Sequence, residues 1–393
     1  MLILHGLEWQ RGCPRLSCQP VMRWLCGAGI GVICLLLLPQ VLATNPFGPL
    51  VTVAEAKQMP EFLPGGRTVL FIPDTWRFWM AGNRTGLRLA LTPPLLGAGL
   101  LLPLLIWRRS PEGHSSTGHR FPLVAAITDA VNILWQLCLS SVGLFLLAHA
   151  LLFKLYLPSR YTVHSLRMIL AIAAGVVLTL FLDAVWGWAA TRSGAGTLTP
   201  RRQILALGLA TVLGMLLVLF PLVWGRGFPN VGYVTGTAPE VYEFFAQQPR
   251  DTLVASISSE ANNLPGFTQR STLVGQEYAI PYHLGYYHPL RQRILDTIRA
   301  QYSPSLSVLQ GFIHQYGVDW WLLDKAAFQV PYFAQEPWLQ QFQPFTQDAK
   351  TLLEQGKVPA LAEAMERCTV LDSEQFTVVR ADCLSRLGSE SSF

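Results

Sequence analysis

The sequence predicts an α-helical multi-pass membrane bundle of about five spans, followed by an extracytoplasmic α/β domain. Three observations predict it. Of 393 residues, 51% are hydrophobic and only 13% charged, against about 25% charged in a soluble domain, and the mean hydropathy is +0.34. The apolar residues dominate as far as Trp224, and a mixed, globular-looking sequence follows. Arginines gather at the ends of the apolar runs in a pattern that orients them.

A hydrocarbon crossing needs roughly 20 apolar residues. The runs at 24–43, 89–107, 131–155, 168–190 and 203–224 supply five candidates. Residues 1–23 read as a cytoplasmic leader. The first run reads as a retained helix; its other reading is a signal peptide ending in "VLA" before Thr44. Pro93, Pro94 and Pro103 kink the second run, which neighbouring helices tolerate. Residues 121–130 read as a short interfacial helix leading into the third run.

Arg11, Arg15 and Arg23 precede the first run. Arg108, Arg109 and Arg120 lie between the second and third, and Arg192, Arg201 and Arg202 between the fourth and fifth. Five spans put all three groups on one side, which the positive-inside rule makes the cytoplasm. The transmembrane region is then 24–224, with an outer loop at 44–88, and residues 225–393 form a domain outside the plasma (inner) membrane. In the outer loop, "MPEFLPGGR" reads as turns, "TVLFI" as a short strand and "DTWRFWMAG" as a short amphipathic helix with interfacial aromatics. The net charge of +5 does not point to nucleic acid, because the basic excess flanks the spans.

The C-terminal region alternates strand and helix patterns. "DTLVASI" and "VDWWLLD" read as strands, "LRQRILDTIRAQY", "SPSLSVLQGFIHQYG" and "VPALAEAMER" as helices, and "CTVLDSEQFTVVRADCL" as a strand pair. The alternation suggests a small, mostly parallel sheet. Of seven cysteines, only Cys368 and Cys383 fall in this region. Outside the cytoplasm a disulfide between them is one reading, and two buried thiols is the other. No Cys or His spacing fits zinc.

"LPSRYTVHSLR", at 157–167, places Arg160, His164 and Arg167 on the outer side of the bundle, where positive charge runs against the usual bias. If the turn continues helically, the three lie three or four residues apart on roughly one face. Such donors suit a phosphate or pyrophosphate, with Arg binding bidentately, and a lipid-linked phosphate presents its charge at this depth. Snorkelling to ordinary anionic phospholipid explains them equally.

"LPSRYT" resembles the Arg-Tyr turn at the outer end of a late helix in the GT-C superfamily of membrane glycosyltransferases. "NPFGPLVTVAEAKQMPEFLPGGR", "RSTLVGQEYAIPYHLGYY", "FIHQYGVDWWLLD" and the Cys368/Cys383 segment are similar to the late loop and outer α/β domain of bacterial members. The resemblance covers most of residues 44–393. It implies transfer of a sugar from a polyprenyl-phosphate donor to an extracytoplasmic acceptor. Arg160, Tyr161, His164 and Arg167 would hold the donor phosphate, and Glu277, Tyr278, His283 and Tyr286 would contact the sugar or acceptor.

The chain departs from that family in span number and in lacking an acidic pair after an early span. Glu55, Glu61 and Asp74 occupy the first outer loop, but that loop resembles a later one. The chain therefore resembles the C-terminal half of such an enzyme. A split gene, a truncated gene or a mis-set start at the leader is one implication, and a separate N-terminal-half chain as partner is another. The catalytic base is left unknown. The alternative reading is a non-catalytic membrane-anchored protein whose outer domain binds a partner.

Other features carry less. His283, His288 and Glu277 lack an H-x₃-H or HExxH pattern. No cofactor is fixed by the sequence, and a divalent metal is left open. "YGVDWWLLDK" superficially resembles the WWDYG motif of oligosaccharyltransferases in a different order; Trp320 and Trp321 read first as core, and Asp319 and Asp324 as strand-end residues. Asp129, Asp183 and His149 read as interfacial or hydrogen-bonded groups of the bundle. There is no P-loop, GxGxxG after a strand, or GxSxG.

Overall fold

A computed structural model of the protein describes residues 7–10, 13–16, 20–42, 45–89, 91–107, 121–190, 200–224 and 236–387. Arg11, Arg108, Arg109, Arg120 and Arg192, which help orient the chain in the sequence reading, lie outside these, as does the junction after "VLA" at 43–44. The chain forms two compact units. One comprises Met1–Ala43 and Asp74–Tyr233, the other Thr44–Pro73 and Val234–Phe393. The loop expected over 44–88 is therefore divided, its first part belonging with the α/β unit.

The first unit opens with an antiparallel hairpin, β1 (Leu7–Gln10) and β2 (Cys13–Leu16), before helix α1 (Pro20–Leu42). Helices α2 (Asn132–Ala150), α3 (Ser165–Ala190) and α4 (Pro200–Trp224) follow. Among the described residues, three helical stretches, Asp129–Ala150, Pro158–Ala190 and Pro200–Phe220, are long and apolar enough to cross a membrane. The described parts of two further expected runs form the apolar helices Arg23–Pro39, within α1, and Pro94–Ile106. Prolines shape the second, which the chain enters as a 3₁₀ helix, Pro94–Leu101, that becomes α-helical only over Leu102–Trp107. The third run was expected to reach 155, but the helix stops where Leu151 leaves helical geometry. Gly99 lets the 3₁₀ segment approach α3, since a Cβ there would lie 2.6 Å from the Leu170 carbonyl. Small residues permit such close packing between helices in lipid.

In the second unit, a five-stranded sheet has the order β4 (Ser271–Thr272), β3 (Leu253–Ala255), β5 (Trp320–Asp324), β7 (Phe376–Arg380), β6 (Thr369–Asp372). The β3 pairings with β4 and β5 are parallel, but β7 runs antiparallel to both β5 and β6. The sheet is thus mixed rather than mostly parallel, because the last two strands are joined by a tight hairpin. Alternation along β5 builds two cores. Trp321 and Leu323 face Ile294, Ile298, Leu309 and Phe342, while Leu322 faces Val241, Phe245, Val254 and Val378. The covering helices include α5 (Pro239–Ala246), α6 (Leu284–Tyr302), α7 (Leu306–Tyr316), α8 (Phe345–Glu354) and α9 (Ala360–Cys368). Gly317 ends α7 with φ +64°, the left-handed cap that glycine adopts without penalty. Cys368 and Cys383 are joined in a disulfide across 15 residues.

Residues 45–73 lie along this unit. Leu50 bridges His283, Val51 N–H donates to the Tyr282 carbonyl at 2.9 Å, and Tyr286 N–H donates to that of Phe47 at 3.0 Å. The expected "TVLFI" strand is absent. Leu70 and Phe71 amides instead donate to the Phe62 carbonyl, so the segment folds on its own 3₁₀ turn, Pro60–Phe62. Glu61 is buried, and its Oε1 accepts from the Tyr287 hydroxyl at 2.7 Å and Arg291 Nε at 3.1 Å.

Candidate functional site

The charged turn is built from its proline outward. Pro158 begins a 3₁₀ turn, Pro158–Tyr161, where a missing amide costs nothing. Helical bonding then runs into α3. Val163 N–H donates to Ser159 O at 2.9 Å, Leu166 to Thr162 at 3.0 Å and Met168 to His164 at 3.0 Å. Arg160 therefore stands in the 3₁₀ turn, His164 between that turn and α3, and Arg167 in the first turn of α3. All three are exposed. None forms an ion pair or side-chain hydrogen bond with another described residue.

Polar pins hold the turn. Ser159 donates through N–H to the Arg84 carbonyl at 3.1 Å and through Oγ to that of Asn83 at 2.8 Å. The hydroxyls of Ser141 on α2 and Ser165 on α3 both donate to the Tyr161 carbonyl. Tyr161 thus contributes its backbone to the anchoring, with its side chain half-buried. Below, His149 Nε2 donates to the Thr85 carbonyl at 2.9 Å, and its ring packs 4.6 Å from Trp79 and 4.7 Å from Phe145. Sequence reasoning missed Ser141 and Ser165; the signal of Ser141 was a hydroxyl interrupting an apolar run, while Ser165 lay inside the charged turn itself. Asp183 lies within α3, with one carboxylate oxygen buried and unpaired among the described residues.

The second group of expected contact residues is only partly assembled. Arg67 Nη2 holds Glu277 Oε2 at 2.7 Å. His283 Nδ1 accepts from Asn45 Nδ2 at 3.0 Å. Tyr278 donates to the Asn262 carbonyl at 3.2 Å, and Tyr286 donates to the Tyr278 carbonyl at 2.8 Å. Burial, with the nearby Glu277 charge, raises the Tyr278 phenol above its usual pKa; burial, with Tyr278, does the same for Tyr286. Tyr278 and Tyr286 are thus joined through the Tyr278 carbonyl, and both line a cleft of about 390 Å³ that neither Glu277 nor His283 lines. Tyr286 lies in the first turn of α6, which begins at Leu284.

The outer-loop carboxylates all have structural partners. Glu55 completes a capping box with Thr52, and Asp74 Oδ1 accepts from Arg77 N–H at 3.0 Å. Glu61 is held as described. Trp321 is fully buried, its Nε1 donating to Gln301 Oε1 at 3.2 Å, and Trp320 packs edge-on against Phe244 at 5.1 Å. Asp319 Oδ2 accepts from Leu253 N–H at 2.8 Å, and Asp324 accepts from the Ser258 and Tyr332 hydroxyls at 2.9 and 2.5 Å. Both are strand-end residues. Among the described residues, no group of three His, Cys, Asp or Glu side chains is placed to hold a metal.

No protein-family model matches the chain, and no curated protein matches it.

Proposed function

We propose that the turn at the head of α3 binds the phosphate of a polyprenyl-phosphate-linked sugar, as the donor site of a GT-C-like membrane glycosyltransferase. One observation carries the reading: Arg160 in the 3₁₀ turn, His164 in the turn that follows it and Arg167 in the first turn of α3 are all exposed, with no carboxylate neutralising them among the described residues. Unpaired guanidinium groups bind phosphate oxygens bidentately. The positive end of the helix dipole adds to their field. During transfer they would stabilise charge developing on the departing lipid phosphate.

The proposal includes five crossings, with the α/β unit outside the plasma (inner) membrane. The short Pro94–Trp107 segment supports this in length. Eight of its residues are 3₁₀-wound, rising about 2.0 Å each, so the segment extends roughly 25 Å against a core of about 30 Å.

The partnering of Glu55, Glu61, Asp74 and Glu277 favours a second reading, a membrane-anchored protein that binds lipid phosphate without transferring a sugar. The two readings share the phosphate site and differ in turnover.

The test uses full-length protein in nanodiscs of zwitterionic lipid, titrated with a polyprenyl phosphate and, separately, with phosphatidylglycerol. Tighter binding of the polyprenyl phosphate and a loss of about tenfold or more in Arg160→Ala are expected. Equal binding of both lipids, or unchanged binding in the variant, overturns the assignment. Sugar release from a polyprenyl-phosphate sugar then separates the transferase from the non-catalytic reading.

A further inference from the structure

The α/β unit carries a cleft that the lipid-phosphate reading does not use. It opens at the carboxyl end of β4, where Thr272 gives way to Leu273 and Val274. Crevices outside the carboxyl ends of parallel strands are where open α/β sheets bind ligands. Its volume of about 390 Å³ falls within the usual range for small-molecule sites.

Two glycines shape one wall. Gly48, at φ +80°, and Gly285 bring two backbones so close that a Cβ on Gly285 would lie 2.8 Å from the Phe47 carbonyl. That approach sets the Phe47 ring edge-on to Tyr286, 6.1 Å between centroids. Along α6, Tyr286, Pro289, Leu290 and Arg293 recur at helical spacing and line the cleft together. Pro289 has no amide to give the Gly285 carbonyl, four residues earlier, so that acceptor lacks its helical bond. Arg293 is exposed and has no ion-pair partner among the described residues. The wall therefore combines aromatic surface, the Thr272 hydroxyl, a carbonyl acceptor and an uncompensated cation.

We propose that this cleft binds an anionic saccharide, the ring lying against Phe47 and Tyr286 and its acidic group on Arg293. Aromatic surface suits the C–H face of a sugar. The acceptor and hydroxyl suit its hydroxyls, and the guanidinium suits a carboxylate or phosphate substituent. The inference stands on the α/β unit alone and does not depend on the lipid-phosphate reading.

The experiment is isothermal titration of the full-length protein in nanodiscs with cellobiose, cellobiouronic acid and glucose 6-phosphate. At least one acidic probe is expected to bind about tenfold or more tightly than cellobiose, and the better of the two identifies the anionic group. Arg293→Gln should remove that preference, Arg293→Lys should restore part of it, and Tyr286→Ala should weaken every probe that binds. Failure of both acidic probes to bind, cellobiose binding as tightly as they do, or a preference that survives Arg293→Gln overturns the proposal. Because Arg293 is exposed and unpaired, its replacement leaves the melting temperature unchanged, which the same samples check.

Discussion

Glu61 offers the sharpest test of how residues 45–73 belong to the α/β unit. Its carboxylate is 1% exposed, and only Oε1 is engaged, accepting from both Tyr287 and Arg291; Oε2 has no partner. Burial and the Glu61 charge push the Tyr287 phenol far above its usual pKa, so Tyr287 remains a donor throughout the accessible range. Glu61→Ala strands a fully buried hydroxyl, at about 1–3 kcal/mol. It also strands Arg291, whose side chain is 30% exposed. Breaking a buried pair costs about 3–5 kcal/mol, which that exposure reduces by screening. Together the loss is about 3 kcal/mol. Glu61→Gln behaves differently: its amide oxygen can keep both bonds at the Oε1 position, and its amine occupies the unbonded Oε2 position. Only the charge is lost, about 1 kcal/mol. In a unit of this size about 1 kcal/mol moves the melting temperature by roughly 2–4 °C. Melting of the full-length protein in detergent, followed by near-UV circular dichroism, should fall by about 6–12 °C for Glu61→Ala and about 2–4 °C for Glu61→Gln. Equal losses in the two variants would refute the single-oxygen clamp, and a harmless alanine would refute the clamp altogether.

Replacing both Cys368 and Cys383 by serine opens a 15-residue loop, which chain entropy values at about 3 kcal/mol; thermal melts should drop accordingly, and dithiothreitol should destabilise the parent but not the variant. The pH dependence should expose Asp324. Burial, reinforced by the Glu260 charge, raises its pKa against the hydroxyls of Tyr332 and Ser258, and burial likewise raises Glu336. A raised carboxyl pKa means that the folded state holds the proton longer, so stability is present below the unfolded value of about 3.9 and declines as pH rises through the folded value. Between pH 4 and neutrality the parent should lose more melting temperature than Asp324→Asn does, and parallel curves would contradict the assignment.

Local order was legible in the sequence, and distant pairing was not. The strand Trp320–Asp324, the helix Leu306–Tyr316 with its terminal glycine and the Phe376–Arg380 hairpin strand follow from periodicity and caps over a few residues. The charged turn was legible only in part: its 3₁₀ start follows from Pro158, but the bonds that pin it come from Asn83, Arg84 and Ser141. The short 3₁₀ helix after Pro93 was not foreseen, since hydropathy counts residues without fixing how they are wound. Nor was the two-residue strand β4, which is too short for periodicity to register.

The acidic residues mark the same boundary. Glu277 stands out in sequence beside tyrosines and histidines, yet its partner Arg67 lies 210 residues away; Glu61 is held from 226 residues away by Tyr287. Nothing in their local patterns announces either bond. Once these contacts are counted, two prominent carboxylates become fasteners between residues 45–73 and the rest of the α/β unit. The arginines of the turn have no ion-pair partner among the described residues. An exposed ammonium or guanidinium has little electrostatic reason to cluster with its own kind unless an anion is recruited. The same argument applies to Arg293, which lines the cleft of the second unit with Phe47 and Tyr286 and has no ion-pair partner among the described residues. Recognition of anions by unpaired basic groups therefore gives the functional reading a firmer basis than any carboxylate selected by its sequence neighbours.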